Sequence, residues 1–144
     1  MQWDDSANAG FSTGTPWLPV NPNHELINAA AEIDDPDSVL SHYRALIAFR
    51  HDEPAVAQGD FTMLLPDHDT IYAFTRVHES TRLLVLANFS AEPAGLSDLS
   101  GAEREEWTDA ELVLFNHPAV DDVLAPLRAW EVRVLRRSPR HPRR

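Results

Sequence analysis

The sequence predicts a mainly β fold: an antiparallel β-sandwich or sheet over 55–144, preceded by a loop and a helix over 1–54. Three observations carry this. The apolar period changes at Pro54, from three- and four-residue spacing before it to alternation after it. The apolar runs beyond Pro54 are short and joined by polar turns, with no helical stretch read between them, which is the pattern of antiparallel pairing. The first 35 residues show no period.

In that opening segment Gly10, Gly14, Pro16, Pro19 and Pro22 interrupt regular structure, and three large aromatics, Trp3, Phe11 and Trp17, sit among them. A loop of this length is uncommon in a compact domain unless it is functional or separated from its context. A short helix is expected over 29–33, with Asn28 as its cap. The main helix is expected over 36–52. Asp35 caps it, Pro36 takes the first position, where no amide donor is needed, and Asp37 meets the positive end of the helix dipole. Val39, Leu40, Tyr43, Leu46, Ile47 and Phe49 form its apolar stripe, Arg50 and His51 suit its C-terminal end, and Pro54 stops it. Such a stripe requires an apolar partner surface.

The strands follow. Residues 61–65 read as the first. Over 69–77, Ile71, Ala73, Thr75 and Val77 alternate with Tyr72, Phe74 and Arg76. A polar turn spans 78–81. Residues 82–89 are apolar on both faces through Leu83, Leu84, Val85 and Leu86, as in a central, covered strand. Short runs at 112–115 and 130–134 complete the set. The segment from about 136 is basic, Pro-rich and without apolar period, and is expected to be a disordered tail.

Composition narrows the function. At 144 residues, 43% apolar and 24% charged, the chain has the make-up of an ordinary globular protein with one modest core. It has no cysteine, which removes disulfides, thiolate metal sites and a cysteine nucleophile together and fits a reducing cytoplasm. No apolar run approaches the roughly 20 residues that span a bilayer, and the polar, acidic N-terminus is not a signal peptide. The net charge is −11, unevenly placed: seven of the twelve basic residues, all arginines, lie in 128–144 against the single acid Glu131. The body of the chain is therefore strongly acidic, so neither nucleic acid nor membrane is expected as a partner.

The carboxylates cluster at Asp4-Asp5, Asp34-Asp35-Asp37, Asp67-Asp69, Glu103-Glu105-Glu106 and Asp121-Asp122. A glycosidase needs two carboxyls held a fixed distance apart, one of them protonated by its surroundings. Adjacent acids in polar turns do not supply that, and they read as solvated loop acids or helix caps. The seven histidines show no ligand spacing, and Asp67-His68-Asp69 reads as a turn between strands, so no metal site and no cofactor is expected. No serine sits in a Gly-x-Ser-x-Gly elbow. Asn88-Phe89-Ser90 fits the glycosylation sequon but falls at the end of a buried strand. The aromatic loop stands out. Trp3, Phe11 and Trp17 are suited either to stacking on sugar rings or to pinning a long loop onto its scaffold.

Several blocks go further. Met1-Gln2-Trp3-Asp4-Asp5-Ser6, Asn8-Ala9-Gly10-Phe11 and Pro16-Trp17-Leu18-Pro19-Val20-Asn21-Pro22-Asn23 resemble the segment after the eighth barrel strand of oligo-1,6-glucosidase and α-glucosidase type enzymes. These belong to glycoside hydrolase family 13, the α-amylase superfamily. The likeness continues through Asp35-Pro36-Asp37-Ser38-Val39-Leu40 and Tyr43-Arg44-Ala45-Leu46-Ile47, which resemble the family's last barrel helix. Ile71-Tyr72-Ala73-Phe74-Thr75-Arg76 and Leu84-Val85-Leu86-Ala87-Asn88-Phe89-Ser90 resemble strands of its C-terminal β domain.

The resemblance implies retaining hydrolysis of α-glucosidic bonds by an Asp nucleophile, a Glu acid/base and a second Asp, all on earlier strands of a (β/α)₈ barrel. A barrel needs about 250 residues, so no residue of this chain is assigned a catalytic role. The loop 2–11 is implied to lie on the active-site side, with Gln2, Trp3, Asp4 and Phe11 as the residues nearest substrate. The family's methionine is internal, so Met1 at the first position is expected to reflect a truncated or mis-started reading frame. On this reading the chain alone is inactive and meets an α-glucan oligosaccharide through the upstream barrel, or completes a barrel fragment encoded separately. The rival reading is a stand-alone carbohydrate-binding or interaction β module without catalysis.

Overall fold

In the computed structural model, which describes residues 2–138, the chain forms two units, one ending at Ala48 and the other beginning at Phe49.

The first unit is built on its opening loop. Trp3 N–H donates to the Ala9 carbonyl (2.9 Å), Ala9 N–H to Ser6 (2.8 Å) and Phe11 N–H to Asn8 (3.0 Å). A 3₁₀ turn, Pro22–Glu25, follows, opened by Asn21. Helix α1, Ala29–Glu32, starts at Asn28, whose side chain accepts the Ala31 N–H (2.9 Å). The first two amides of α1 donate to the carbonyls of Gln2 and Trp3, both at 2.9 Å, so the opening residues also cap this helix.

Helix α2, Val39–Asp52, begins three residues later than the sequence predicts. The Asp35 carboxylate accepts the Asp37 N–H (2.9 Å) and folds 35–38 into a turn instead of a first helical turn. Ser38, buried, then serves as the cap, its hydroxyl accepting the Ser41 N–H (3.1 Å). Glu32 reaches across to take the Leu40 N–H (3.0 Å). No residue of α2 is buried, and Val39, Tyr43 and Ile47 are well exposed.

In the second unit Pro54 starts a helix where the sequence reading had it end one. Glu53 caps α3, Pro54–Gln58, by accepting the Ala55 N–H (3.2 Å), and Pro54 takes the first position. Five strands then make one antiparallel sheet: β1 Asp60–Met63, β2 Ile71–His78, β3 Thr81–Asn88, β4 Glu111–Phe115 and β5 Val132–Arg137, in the order β1-β2-β3-β5-β4. The sheet alternative is realised, with β3 central as its two-faced apolar pattern requires.

A helix interrupts the strands. Helix α4, Gly101–Trp107, lies between β3 and β4, contrary to the expectation of turns alone. Its signal is a capping box: Ser100 Oγ accepts the Glu103 N–H (3.2 Å) and the Glu103 carboxylate accepts the Ser100 N–H (2.7 Å). Seven residues are too few to show a helical period, and the buried Trp107 anchors the element alone. The last strand also differs. Trp130 turns with a φ of +57° before β5 begins, and Arg136 and Arg137 pair with Leu83 and Arg82 instead of opening a disordered tail. Residues 139–144, the rest of that predicted tail, lie outside the described residues.

The core lies on one sheet face, where Ile71, Ala73, Leu84, Leu86 and Leu135 meet Trp107 and the loop residues Leu96, Leu99 and Leu127. Cross-strand partners share a face, so the register Phe61↔Arg76, Met63↔Phe74, Phe74↔Val85 and Leu83↔Arg136 defines the opposite one. Helix α3 covers part of it: Arg76 Nε donates to the Ala55 carbonyl (3.3 Å) and Arg136 approaches Glu53 (3.5 Å).

Candidate functional site

The opening loop is shaped by a glycine. Gly10 has a φ of +71°, and a Cβ there would sit 2.8 Å from Trp3 Cβ and 2.9 Å from an Asp4 carboxylate oxygen. Only glycine lets the 2–11 loop close so tightly on itself. Within it, Asp4 accepts the Ser6 N–H (3.0 Å) and the Ser6 hydroxyl. The Ser6 hydroxyl and amide, with His24 nearby, hold the Asp4 carboxyl below the usual carboxylate range against a small desolvation. This is an ionised turn acid, the opposite of a proton donor.

Gln2 makes the longest-range contacts of the loop. Its Nε2 donates to Asn23 Oδ1 (3.0 Å) and to the Ile27 carbonyl (2.8 Å). A carbonyl partner requires a donor, so the amide orientation is fixed and Oε1 faces away from these contacts. Gln2 also lines two clefts. One, of about 570 Å³, runs along Phe11, Ser12 and the 15–21 segment, with Trp17 90% exposed. The other, about 470 Å³, lies against α1 and α2 between Ile27, Glu32, Tyr43 and Ile47. The structure therefore brings Gln2 and Phe11 to one cleft. Trp3 and Asp4 line neither; Trp3 is half exposed and gives its backbone to α1.

Other candidates resolve into structure. His68 Nδ1 accepts the N–H groups of Thr70 and Ile71 (3.1 and 3.0 Å) and so closes the turn into β2. Asn88 is buried and donates to the carbonyls of Glu92 (2.7 Å) and Arg128 (2.9 Å), which occupies the amide nitrogen that glycosylation would use. The reading from residues alone missed the Gln2–Asn23–Ile27 latch. Its signal was the asparagine-rich 21–28 segment, with Asn21, Asn23 and Asn28 all bonding backbone or Gln2. It also missed Glu131 and Arg133, the largest buried polar cluster of the β unit.

The comparisons with known proteins run along the whole of this framework. The family model described as the α-amylase catalytic domain matches 1–59, and that of the maltogenic amylase C-terminal domain matches 61–113. The chain belongs to the α-amylase superfamily.

Within this superfamily, an oligo-1,6-glucosidase of Parageobacillus thermoglucosidasius is 40% identical over 138 residues, covering 93% of this chain and 24% of the relative. A glucan 1,6-α-glucosidase of Streptococcus pneumoniae is 44% identical over 138 residues, covering 94% and 24%. Among solved structures, a Bacillus licheniformis trehalose-6-phosphate hydrolase matches with a TM-score of 0.81 at 31% identity, covering 94% of this chain and 24% of that one. An Erwinia rhapontici isomaltulose synthase mutant in complex with sucrose matches with a TM-score of 0.77 at 36% identity, covering 96% and 24%. The chain thus spans about a quarter of the length of the relatives it matches. It corresponds to the end of the catalytic domain and the C-terminal β domain of this superfamily.

Proposed function

We propose that this chain is the C-terminal quarter of an α-glucosidase-type glycoside hydrolase that cleaves α-glucosidic bonds of short oligosaccharides. The observation that carries the reading is the match, over 93–94% of the chain, to relatives named for that activity. The division of labour follows. Residues 1–54 supply the last loop and helix of the barrel, and 55–144 the C-terminal β domain. The nucleophile and the acid/base come from upstream strands. Asp4, the one carboxyl among the residues assigned to the substrate-proximal rim, fits this division: a general acid must be pushed up in pKa, whereas Asp4 is pulled down.

Gln2, Trp3, Asp4 and Phe11 form the substrate-proximal rim. Gln2 Oε1 accepts a sugar hydroxyl while its Nε2 stays on Ile27, and Phe11 offers a ring face in the same cleft. The substrate is an α-glucan oligosaccharide held largely by the upstream barrel. A reducing cytoplasm is the setting, consistent with the absence of cysteine. Among the described residues no helix is long and apolar enough to cross a membrane.

The test is a chimera in which this chain replaces the matched 138 residues of the Parageobacillus thermoglucosidasius relative. The expected result is hydrolysis of isomaltose or p-nitrophenyl α-glucoside by the chimera and none by the 144-residue chain alone. A folded, inactive chimera, or turnover by the chain alone, overturns the reading.

A further inference from the structure

Gln2 is gripped from two sides. Its backbone carbonyl accepts the Ala29 N–H at 2.9 Å, and its Nε2 donates to Asn23 Oδ1 (3.0 Å) and to the Ile27 carbonyl (2.8 Å). A primary amide nitrogen carries two hydrogens, and these two acceptors take both. The Ile27 carbonyl only accepts, so it fixes the orientation of the Gln2 amide. The Gln2 nitrogen in turn fixes the Asn23 amide, because Oδ1 and not Nδ2 must face a donor. One main-chain oxygen thus sets two side-chain amides. What is left on Gln2 to meet a ligand is Oε1, and Gln2 lines the cleft that holds Phe11 and Trp17.

Asn23 makes this one side-chain contact and no other. It sits in the 3₁₀ turn Pro22–Glu25, where Pro22 has a fixed φ and Asn21 Oδ1 accepts the Asn23 N–H (3.2 Å). Its carbonyl accepts the Leu26 and Ile27 N–H groups (3.0 and 2.9 Å). The turn therefore holds the Asn23 backbone, and among the described residues its side chain bonds to Gln2 alone. A side chain that caps nothing in its own turn and reaches 21 positions back to one amide acts through that amide. Glutamine has three rotatable side-chain bonds, and a ligand that must freeze them binds more weakly than one that meets them already ordered. Without Asn23 the Gln2 amide is also freer to turn, so that its nitrogen competes with Oε1 for the cleft.

We infer that Asn23 is a positioning residue for sugar binding. With the Ile27 carbonyl it orders Gln2 so that Oε1 is presented to the cleft as an acceptor, and a ligand hydroxyl is taken there only as a donor. Asn23 itself stands outside the cleft wall. The sugar half of this inference rests on the glycosidase reading above, in which Gln2 meets substrate. The ordering of Gln2 by Asn23 does not, and the two halves are tested apart.

The kinetic test uses the chimera described above. Asn23→Ala removes one neutral hydrogen bond, so KM for isomaltose is expected to rise about three- to tenfold with kcat nearly unchanged, as for binding lost equally from ground and transition states. Asn23→Asp keeps an acceptor for Nε2 and is expected to restore the unsubstituted KM. In a Gln2→Ala background Asn23→Ala is expected to add nothing, since the group it served is gone. A residue that merely held its turn would cost as much with Gln2 as without it, so equal effects in the two backgrounds overturn the inference. An unchanged KM in Asn23→Ala overturns it as well, and leaves the activity reading standing. An inactive chimera rejects the activity reading, and the ordering is then decided in the 144-residue chain, which contains only two glutamines, Gln2 and Gln58. NMR relaxation of the side-chain amide nitrogens is expected to give Gln2 the order parameter of a rigid group and the exposed Gln58 a value below about 0.6. Asn23→Ala is expected to bring Gln2 down to the level of Gln58, and Asn23→Asp to leave it high; that result upholds Asn23 as the residue that positions Gln2. A Gln2 amide as mobile as that of Gln58 in the unsubstituted chain, or one indifferent to Asn23→Ala, overturns it.

Discussion

Arg133 and Glu131, two residues apart at the start of β5, form a bidentate ion pair with each residue about 1% exposed. Arg133 Nε and Nη2 donate to the two carboxylate oxygens at 2.8 and 3.0 Å. The remaining guanidinium donors go to the carbonyls of Val123 (3.2 Å), Ala125 (2.7 Å) and Pro126 (3.1 Å). The carboxylate takes the Arg128 N–H at 2.7 Å. The pair therefore pins the 122–128 loop onto the sheet. Removing one partner strands a buried charge, so Glu131→Gln is expected to destabilise the β unit by roughly 3–5 kcal/mol. Urea denaturation followed by circular dichroism measures this, and a loss below about 1 kcal/mol contradicts it.

The same pair sets a pH dependence. Burial pushes the Glu131 carboxyl up, but hydrogen bonds from Arg133 and the Arg128 amide, with the field of both arginines, outweigh it and hold the pKa below the usual range. The folded pKa lies below the unfolded one. The contribution is thus fully present above the unfolded carboxylate pKa and is lost as pH falls through the lowered folded value. Stability is expected to fall on acidification through and below the ordinary carboxylate range. In Glu131→Gln this component of the slope is expected to vanish, and an identical slope in both proteins rejects the assignment.

Asp4 responds chiefly to one neighbour. Its lowered pKa rests first on the Ser6 hydroxyl and amide. Ser6→Ala is expected to raise it toward the ordinary carboxylate value, read by NMR titration of the Asp4 carboxyl carbon. An unmoved pKa shows that the turn acid is held by something else.

The two glycines at close approaches differ in kind. Gly10→Ala meets both a left-handed backbone and the Trp3 Cβ, so the 2–11 loop is expected to open, with loss of about 1–3 kcal/mol locally. Gly59→Ala keeps an ordinary φ but places a methyl 2.5 Å from the Ala55 carbonyl oxygen. It is expected to weaken the α3 to β2 packing by about 1–3 kcal/mol. Amide exchange separates them: Gly10→Ala speeds exchange at Ala9 and Phe11, and Gly59→Ala at α3. Unchanged exchange in either variant rejects its half.

What was legible in the sequence tracked the strength of the local pattern. The strands announced themselves, because alternation from Ile71 to Val77 and the two-faced run Leu83–Leu86 leave one arrangement that buries both. Asn28 declared its helix because a cap works through its own side chain. Helix α4 did not, since its content is two turns and a capping box, and a reading by period passes over Ser100 and Glu103. The start of α2 was misplaced because Asp35 and Ser38 are both good caps, and only Glu32, six residues before Ser38, decides for Ser38 by holding Leu40. The site behaved likewise. Residue types nominated Phe11 and the family resemblance nominated Gln2, but that Gln2 holds Ile27 depends on a contact 25 positions away. Nothing local could reveal Glu131 with Arg133, since a charged pair in an alternating strand reads as its solvent face.

Helix α2 supplies the last prediction. Its apolar stripe is exposed and none of its residues is buried, whereas β3 is paired on both sides and contributes Leu83, Leu84 and Leu86 to the buried set. Helices gain most of their stability by packing an apolar face, and local opening is easiest where little apolar surface is buried. In the 144-residue chain, amides of 41–50 are therefore expected to exchange faster than those of 82–88, by mass-spectrometric hydrogen exchange. In a protein that contains the upstream barrel, Val39, Tyr43 and Ile47 gain a partner surface, and the gap is expected to narrow. Equal protection of α2 and β3 in the isolated chain means that the helix is stable without that surface. The exposed stripe then loses its force as a sign of a missing partner.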